Sequence, residues 1–391
     1  MTKQIIKIGT RGSQLALWQA NWVKSQIERI SNVQTEIIKI KTTGDQITDR
    51  PLSMVGGKGL FVKEIEQQLL DRDIDIAVHS MKDMPGELPE GLTVGAIPVR
   101  ANPFDVLISR DNIPLDALPA GARIGTSSLR RASQLKHARP DITTLSIRGN
   151  LDTRLRKLDT GEYDAIILAA AGLVRLGMAD RITEYLDEDL MVPAVGQGAL
   201  CIESRQSLVQ SVCKNHIESD QHDVNILLNQ DVQTSLNQHD VLISQILAKL
   251  DDISSRIPVE AERAFLKRME GSCHIPVACF GKLRNGENAG GSILLVLTGL
   301  VASEDGTRVI RETMTAQLKI PATETVTAQL EIPDGMTVNA PLKIPANSLN
   351  ISAKEPLHIE SISKAARKTG IELAETLLAK GAKQILQNLK N

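Results

Sequence analysis

The chain has 391 residues, enough for two or three domains, with 42% apolar and 24% charged residues and a formal net charge of −2. That balance is typical of a globular enzyme, and the near-neutral charge with only 2% aromatic residues disfavours a nucleic-acid binder. Four cysteines (Cys201, Cys213, Cys273 and Cys279) are too few for a disulfide framework, and no apolar run approaches the roughly 20 residues of a membrane span.

Lys3 to Gly9 enters an alternating Ile pattern without the apolar core of a secretory leader, so the expectation is a cytoplasmic protein with reduced thiols. Short apolar runs predict strands at Ile5–Ile8, Glu36–Ile40, Ile74–Val78, Arg123–Gly125, Thr143–Ile147 and Ala165–Ala169. Helical spacing predicts Gln14–Ile30 and Leu60–Leu70 between them. Alternation of this kind indicates an α/β fold with largely parallel strands. Pro98 and Pro103 bracket a hinge, and Pro193 with Gly196 and Gly198 marks a return crossing. The expected division is a discontinuous first domain (1–98 and 193–205) and a second domain (103–192). A polar inserted segment (206–256) follows, then an α+β third domain (257–391).

Within the inserted segment, Val241, Ile243, Ile246, Leu247 and Leu250 have helical spacing. The third domain shows a β-rich run at Ile293–Val301 and an amphipathic helix at Glu372–Leu389. Between them lies a twelve-residue repeat, beginning Ala316-Gln-Leu-Lys-Ile-Pro and recurring at Ala328 and Ala340. A proline closes each unit, which reads as edge strands in a structural insertion at about 313–356.

Charged residues collect where the strands end. Arg11 and Ser13 follow the first strand, Asp45 the second, Lys82 and Asp83 the third. Arg130 and Arg131 follow Gly125, Arg148 and Arg154 follow Ile147, and Arg175 follows the Ala165–Ala169 run. Ligands of open α/β sheets bind outside the carboxyl ends of strands, so the series describes an anion-binding cleft. Thr126, Ser127 and Ser128 are N-cap types, which puts Arg130 and Arg131 in a first helical turn where the dipole disfavours cations. Either a bound anion or a surface ion pair to a nearby acid would answer that placement. Lys82 and Asp83 read as a solvated turn or as a carboxylate serving a cationic intermediate. Val-Gly-Gly-Lys58-Gly-Leu-Phe61 is a glycine-rich loop without the ending of a P-loop. His79 is a base or a hydrogen-bonded structural histidine. Cys273, in Glu-Gly-Ser-Cys-His-Ile-Pro, is a loop nucleophile or an inert thiol. Cys213, His216 and His222 match no standard zinc spacing, so no metal is expected.

Several segments occur together in one order: Gly-Thr-Arg-Gly-Ser-Gln-Leu-Ala-Leu-Trp, Val-Gly-Gly-Lys-Gly-Leu-Phe, Ala-Val-His-Ser-Met-Lys-Asp, Gly-Thr-Ser-Ser-Leu-Arg-Arg, Pro-Ala-Val-Gly-Gln-Gly, Ala261-Glu-Arg-Ala and Glu270-Gly-Ser-Cys-His-Ile-Pro. In these the chain resembles the porphobilinogen deaminase family, over about 1–205, 257–312 and 357–391. The resemblance implies two periplasmic-binding-protein-like α/β domains plus a smaller α+β C-terminal domain. It implies a dipyrromethane cofactor bound covalently to Cys273, and stepwise condensation of four porphobilinogen molecules to hydroxymethylbilane with release of ammonia. By the same resemblance Asp83 is the catalytic carboxylate. Lys58, Lys82, Ser128, Arg130, Arg131 and Arg148 hold the cofactor, and Arg11, Ser13, Phe61, Arg154 and Arg175 bind substrate. A monomer that binds neither nucleic acid nor membrane, and passes its product to the next tetrapyrrole enzyme, is expected. Met54 stands where the family often has Lys, and the segments 206–256 and 313–356 exceed the usual length. The competing reading is a non-catalytic anion-binding module of the periplasmic-binding-protein type.

Overall fold

The computed structural model describes residues 5–46, 62–206, 238–269, 275–285, 292–319, 326–327, 350–351 and 356–388. Lys58, Phe61, Met54, Cys213, His216, His222, Cys273 and most of the repeat lie outside the described residues. In chain order the elements run β1 (Ile5–Arg11), α1 (Gln14–Ile30), β2 (Gln34–Ile40), α2 (Lys63–Leu70), β3 (Ile76–Ser80), β4 (Leu92–Ala96) and β5 (Asp105–Ser109). They continue with β6 (Arg123–Gly125), α3 (Leu129–Ala138), β7 (Thr143–Leu145), α4 (Leu151–Asp159), β8 (Ala165–Ala169), α5 (Ala170–Arg175), β9 (Glu184–Leu186) and β10 (Leu200–Arg205). The remainder includes α6 (Gln238–Leu250), α7 (Ile253–Arg268), β11 (Val277–Asn285), β12 (Ser292–Ala302), β13 (Val309–Lys319) and α8 (Pro356–Leu377).

Two compact units result: Met1–His79 with Glu87–Pro98 and Leu200–Asp251, and Ser80–Gly86 with Val99–Ala199 and Asp252–Asn391. The first unit holds a five-stranded sheet in the order β2-β1-β3-β10-β4. Its parallel pairs β1–β2 and β1–β3 point their carboxyl ends the same way, and β10 runs antiparallel to β4. The core consists of Ile6, Ile8, Val23, Ile27, Ile76, Val78 and Ile202. Ile243, Ile246 and Leu247 of α6 complete it, so the helical end of the polar segment belongs to this unit's core. Burial of each such side chain contributes roughly 1.5–3 kcal/mol.

The second unit holds a sheet of the same pattern, β7-β6-β8-β5-β9, with β6–β7 and β6–β8 parallel and β5–β8 antiparallel. In each sheet the fourth strand follows a crossing segment: β5 after Val99–Phe104, β10 after Met191–Ala199. The same unit carries an antiparallel sheet, β11-β12-β13, covered by α7 and α8. Phe265, Leu297, Leu373 and Leu377 are fully buried in that layer. Val192 and Phe104 pack with Ala278, Phe280 and Leu300, which joins the smaller sheet to the larger lobe. The architecture is the expected one: two α/β sheets plus a smaller α+β element at the carboxyl side.

Candidate active site

In the first unit, Arg11 ends β1 and its Nε lies 3.1 Å from Asp45. The Thr42 hydroxyl donates to the same carboxylate at 2.8 Å. Burial alone would raise Asp45, but Arg11 and Thr42 hold it below its ordinary value. Ser13 is the N-cap of α1 and accepts from the Ala16 amide at 3.3 Å, so in this structure it is a helix-capping residue. His79 is buried in β3, its Nε2 3.1 Å from the buried Glu203.

The other described residues of the strand-end series fall in the second unit. Directly after β3 the chain makes a single 3₁₀ turn, Met81–Asp83, closed by the Met84 amide to the Met81 carbonyl at 3.1 Å. Met81 is buried and its amide donates to Ala199 O at 3.0 Å. This anchorage requires Gly196: its φ is +67°, and a β-carbon there would sit 2.4 Å from the Met81 side chain. From the other side, Arg263 of α7 donates to Pro85 O at 2.8 Å. The turn is therefore held from both ends, and Asp83 projects to solvent from a fixed backbone.

Lys82 points inward, its ammonium 3.4 Å from Gln197 Oε1. Burial, then the Arg131 charge, pushes Lys82 down to about 8, against the opposing pull of Asp83 and Asp105. Arg130 and Arg131 occupy the first turn of α3 after Ser128, whose backbone carbonyl starts the helix while its side chain makes no capping bond. Both arginines are buried, and both reach Asp105, which is fully buried at the start of β5. Arg130 contacts it at 2.7 and 3.2 Å, Arg131 at 2.7 and 2.9 Å. The surface ion pair that the sequence offered is not what forms: the acid, Asp105, is fully buried and so are both arginines. Burial would raise the Asp105 carboxyl, yet the two guanidiniums hold it far below the ordinary range.

Further along the same edge, Arg154 donates to Gly149 O at 2.9 Å. Burial, then the charges of Arg131 and Arg148, pushes it down to about 10. That mutual repulsion places Arg131, Arg148 and Arg154 within one electrostatic neighbourhood. Arg175 donates to Gly198 O at 2.7 Å, and burial lowers it to about 10. Among the described residues the second unit thus brings Lys82, Arg130, Arg131, Arg148 and Arg154 into one neighbourhood, with the charges of Asp83 and Asp105 acting on Lys82.

Sequence reasoning passed over four residues of this framework. Asp105 and Gln197 are two of them; Arg100 and Glu262 are the others. Buried Glu262 accepts from Arg100 at 2.6 and 3.1 Å, from the Gly196 amide at 2.6 Å and from the Gly281 amide at 2.9 Å. Gln197 and Glu262 lie inside the ordered motifs, in Pro-Ala-Val-Gly-Gln-Gly and Ala-Glu-Arg-Ala, which is the signal that marks them. Among the described cysteines, Cys201 and Cys279 are fully buried, and burial raises the Cys279 thiol well above its ordinary value.

A cation-rich strand edge beside an exposed carboxylate on a doubly braced turn, in an α/β fold, has the charge to bind anionic groups. Residues 6–211 match the family description "Porphobilinogen deaminase, dipyromethane cofactor binding domain", and residues 257–332 match "Porphobilinogen deaminase, C-terminal domain". The porphobilinogen deaminase of Syntrophotalea carbinolica is 44% identical over 390 residues, covering 100% of this chain and 97% of that protein. That of Pelobacter propionicus is 46% identical over 316 residues, covering 81% and 89%. Among solved structures, the Bordetella pertussis BvgS periplasmic VFT2 domain matches 63% of this chain and 93% of that chain at 14% identity, with a TM-score of 0.31. The chain belongs to the porphobilinogen deaminase family. It is accordingly a transferase of tetrapyrrole biosynthesis that acts on porphobilinogen and uses a dipyrromethane cofactor. The competing reading as a non-catalytic binding module is set aside. No helix among the described residues is long and apolar enough to cross a membrane.

Proposed function

We propose that Asp83 is the catalytic carboxylate, that Cys273 carries the cofactor, and that the second unit's cations hold the carboxylates of cofactor and growing chain. The convergence of Arg130 and Arg131, with Lys82, Arg148 and Arg154 in the same electrostatic neighbourhood, carries this reading, since each pyrrole unit brings an acetate and a propionate. Dipyrromethane fits that charge pattern: Lys82, Ser128, Arg130, Arg131 and Arg148, with Lys58, would hold it. When bound, it supplies the nucleophilic pyrrole carbon that starts the chain. Arg11, Ser13, Phe61, Arg154 and Arg175 would receive the substrate. Cys273 follows buried Met269, which caps α7, by four positions, whereas Cys201 and Cys279 are buried and therefore poor attachment points.

The protein's own chemistry is then brief. Asp83 receives the pyrrole N–H of porphobilinogen, orients it, and stabilises the positive charge that develops as ammonia leaves. It also accepts and returns protons as the new carbon–carbon bond forms. The cations fix each added unit by its carboxylates, so most of the remaining acceleration is positioning. Four such condensations and a hydrolysis give hydroxymethylbilane, which passes to the next enzyme of the pathway. The reading includes a monomeric enzyme working in the cytoplasm.

The test combines intact mass with porphobilinogen consumption. Purified protein should exceed its sequence mass by two pyrrole units, and Cys273→Ser should lose both the added mass and the activity. Cys201→Ser and Cys279→Ser should keep the added mass. An adduct mapped to any cysteine other than Cys273 would overturn the assignment.

A further inference from the structure

Consecutive residues on an α-helix project about 100° apart, so two adjacent arginines do not naturally aim at one point. Arg130 and Arg131 nevertheless converge on a single carboxylate. Asp105 divides its two oxygens among both guanidiniums and the Gln197 amide, which donates at 2.9 Å. Backbone carbonyls take further guanidinium N–H groups: Val192 O accepts from Arg130 at 2.7 Å and Ile167 O from Arg131 at 3.0 Å. Each fork is thereby fixed in plane as well as in direction.

Gln197 is fixed in turn. Its amide nitrogen donates to Pro103 O at 2.8 Å and to Asp105, while its amide oxygen accepts from Lys82. Glycines with positive φ, Gly196 and Gly198, flank it, and a β-carbon at Gly198 would lie 2.5 Å from Ala101 O. Only a glycine on each side lets the chain bring Gln197 into this position.

A buried ion pair that serves folding alone balances its charges, because an unpaired buried charge is costly. Here two arginines, Arg130 and Arg131, share one buried acid. We infer that Asp105, oriented by Gln197, is a positioning residue that aims Arg130 and Arg131 at the carboxylates of cofactor and substrate. The excess charge left in the cluster is what an incoming carboxylate neutralises. This inference rests on the reading that those arginines hold carboxylates.

The experiment uses full-length protein and four variants: Asp105→Asn, Asp105→Glu, Gln197→Leu and Arg130→Leu. Loading is read by intact mass after incubation with porphobilinogen, KM and kcat are measured on the loaded fraction, and Tm is recorded throughout. Asp105→Asn is expected to load poorly and to raise KM roughly tenfold, with a smaller change in kcat. Asp105→Glu should recover part of both, and a Glu variant as defective as the Asn variant would count against a role for the charge. Gln197→Leu keeps every charge and should shift KM and loading the same way by a smaller factor, with a moderately lower Tm because Pro103 O and Asp105 lose a buried donor. Wild-type loading and KM in folded Asp105→Asn would overturn the proposal. If that variant does not fold, wild-type behaviour of Gln197→Leu would do so. Should Arg130→Leu also load and bind normally, the reading of the arginines itself fails. A defect in Arg130→Leu without one at Asp105 or Gln197 sinks only the positioning role.

Discussion

Asp83 sits on one turn of 3₁₀ helix whose backbone is pinned at Met81 and at Pro85, while its own side chain faces solvent. Substitution there should therefore leave folding intact. Asp83→Asn keeps the shape but removes the charge that would stabilise the substrate-derived cation. The expected loss is on the order of a hundredfold in single-turnover porphobilinogen consumption by loaded enzyme. Asp83→Glu restores the charge one methylene away and should keep slow turnover. An Asn variant that elongates at the parental rate would remove Asp83 from the mechanism. Asp83, Lys82 and the arginines were all legible in the sequence, because each follows an apolar strand in a charged cluster. Asp105 was not: it opens the run Asp-Val-Leu-Ile-Ser, and its role depends on two arginines about 25 positions later that reach it only through the sheet. The burial of those arginines was equally invisible, since first-turn cations are usually solvated.

Among elements, the parallel strands β1, β2, β6 and β8 and helix α1 match their apolar patterns closely, while α2 begins at Lys63 rather than Leu60. Within the two α/β sheets the strands that went unread, β4, β5, β9 and β10, are short or enter the sheets from crossing segments, where local periodicity carries little information. The packing of α2 against β4 and β10 has a thermodynamic consequence. Glu66 of α2 is buried, and burial, then the Glu203 charge, raises it to about 7 from the ordinary 4.5. Glu203 in turn faces His79. The folded state thus binds this proton more tightly than the unfolded chain does. The resulting stability is fully present below about pH 4.5 and is lost as pH rises through about 7, amounting to about 3 kcal/mol at most. Glu66→Gln holds an uncharged group in the same place at every pH. Denaturant midpoints should show the variant more stable than the parent at pH 8, with the gap closing towards pH 4.5. A gap that does not vary with pH would mean that Glu66 is ionised throughout.

At the scale of the whole molecule, repetition of one strand order in two sheets explains why the first 200 residues read so readily as α/β. The carboxyl-side layer was less legible because its helices and strands depend on each other for burial. Gly299 shows this: a β-carbon there would lie 2.9 Å from both Phe265 and Leu377, which lie on two different helices. The repeat is where sequence and structure together sharpen an expectation. Its first unit, Ala316 to Lys319, is the end of β13, paired with Ser292–Leu295 of β12, and Leu318 is buried against the core. Removing residues 313–356 as one block would therefore cut seven paired residues, Thr313–Lys319, from the central antiparallel layer and should destabilise the unit that holds Asp83. A deletion confined to 320–354, bridged by a Gly/Ser linker of about eight residues, keeps β13 whole and touches none of the proposed site residues. That shorter deletion should keep its added mass of two pyrrole units and consume porphobilinogen at a rate per folded molecule within about twofold of the parent's. The longer one should show a lower Tm and reduced yield of loaded protein. A folded, loaded 320–354 deletion that cannot consume porphobilinogen would place part of the chemistry in the repeat.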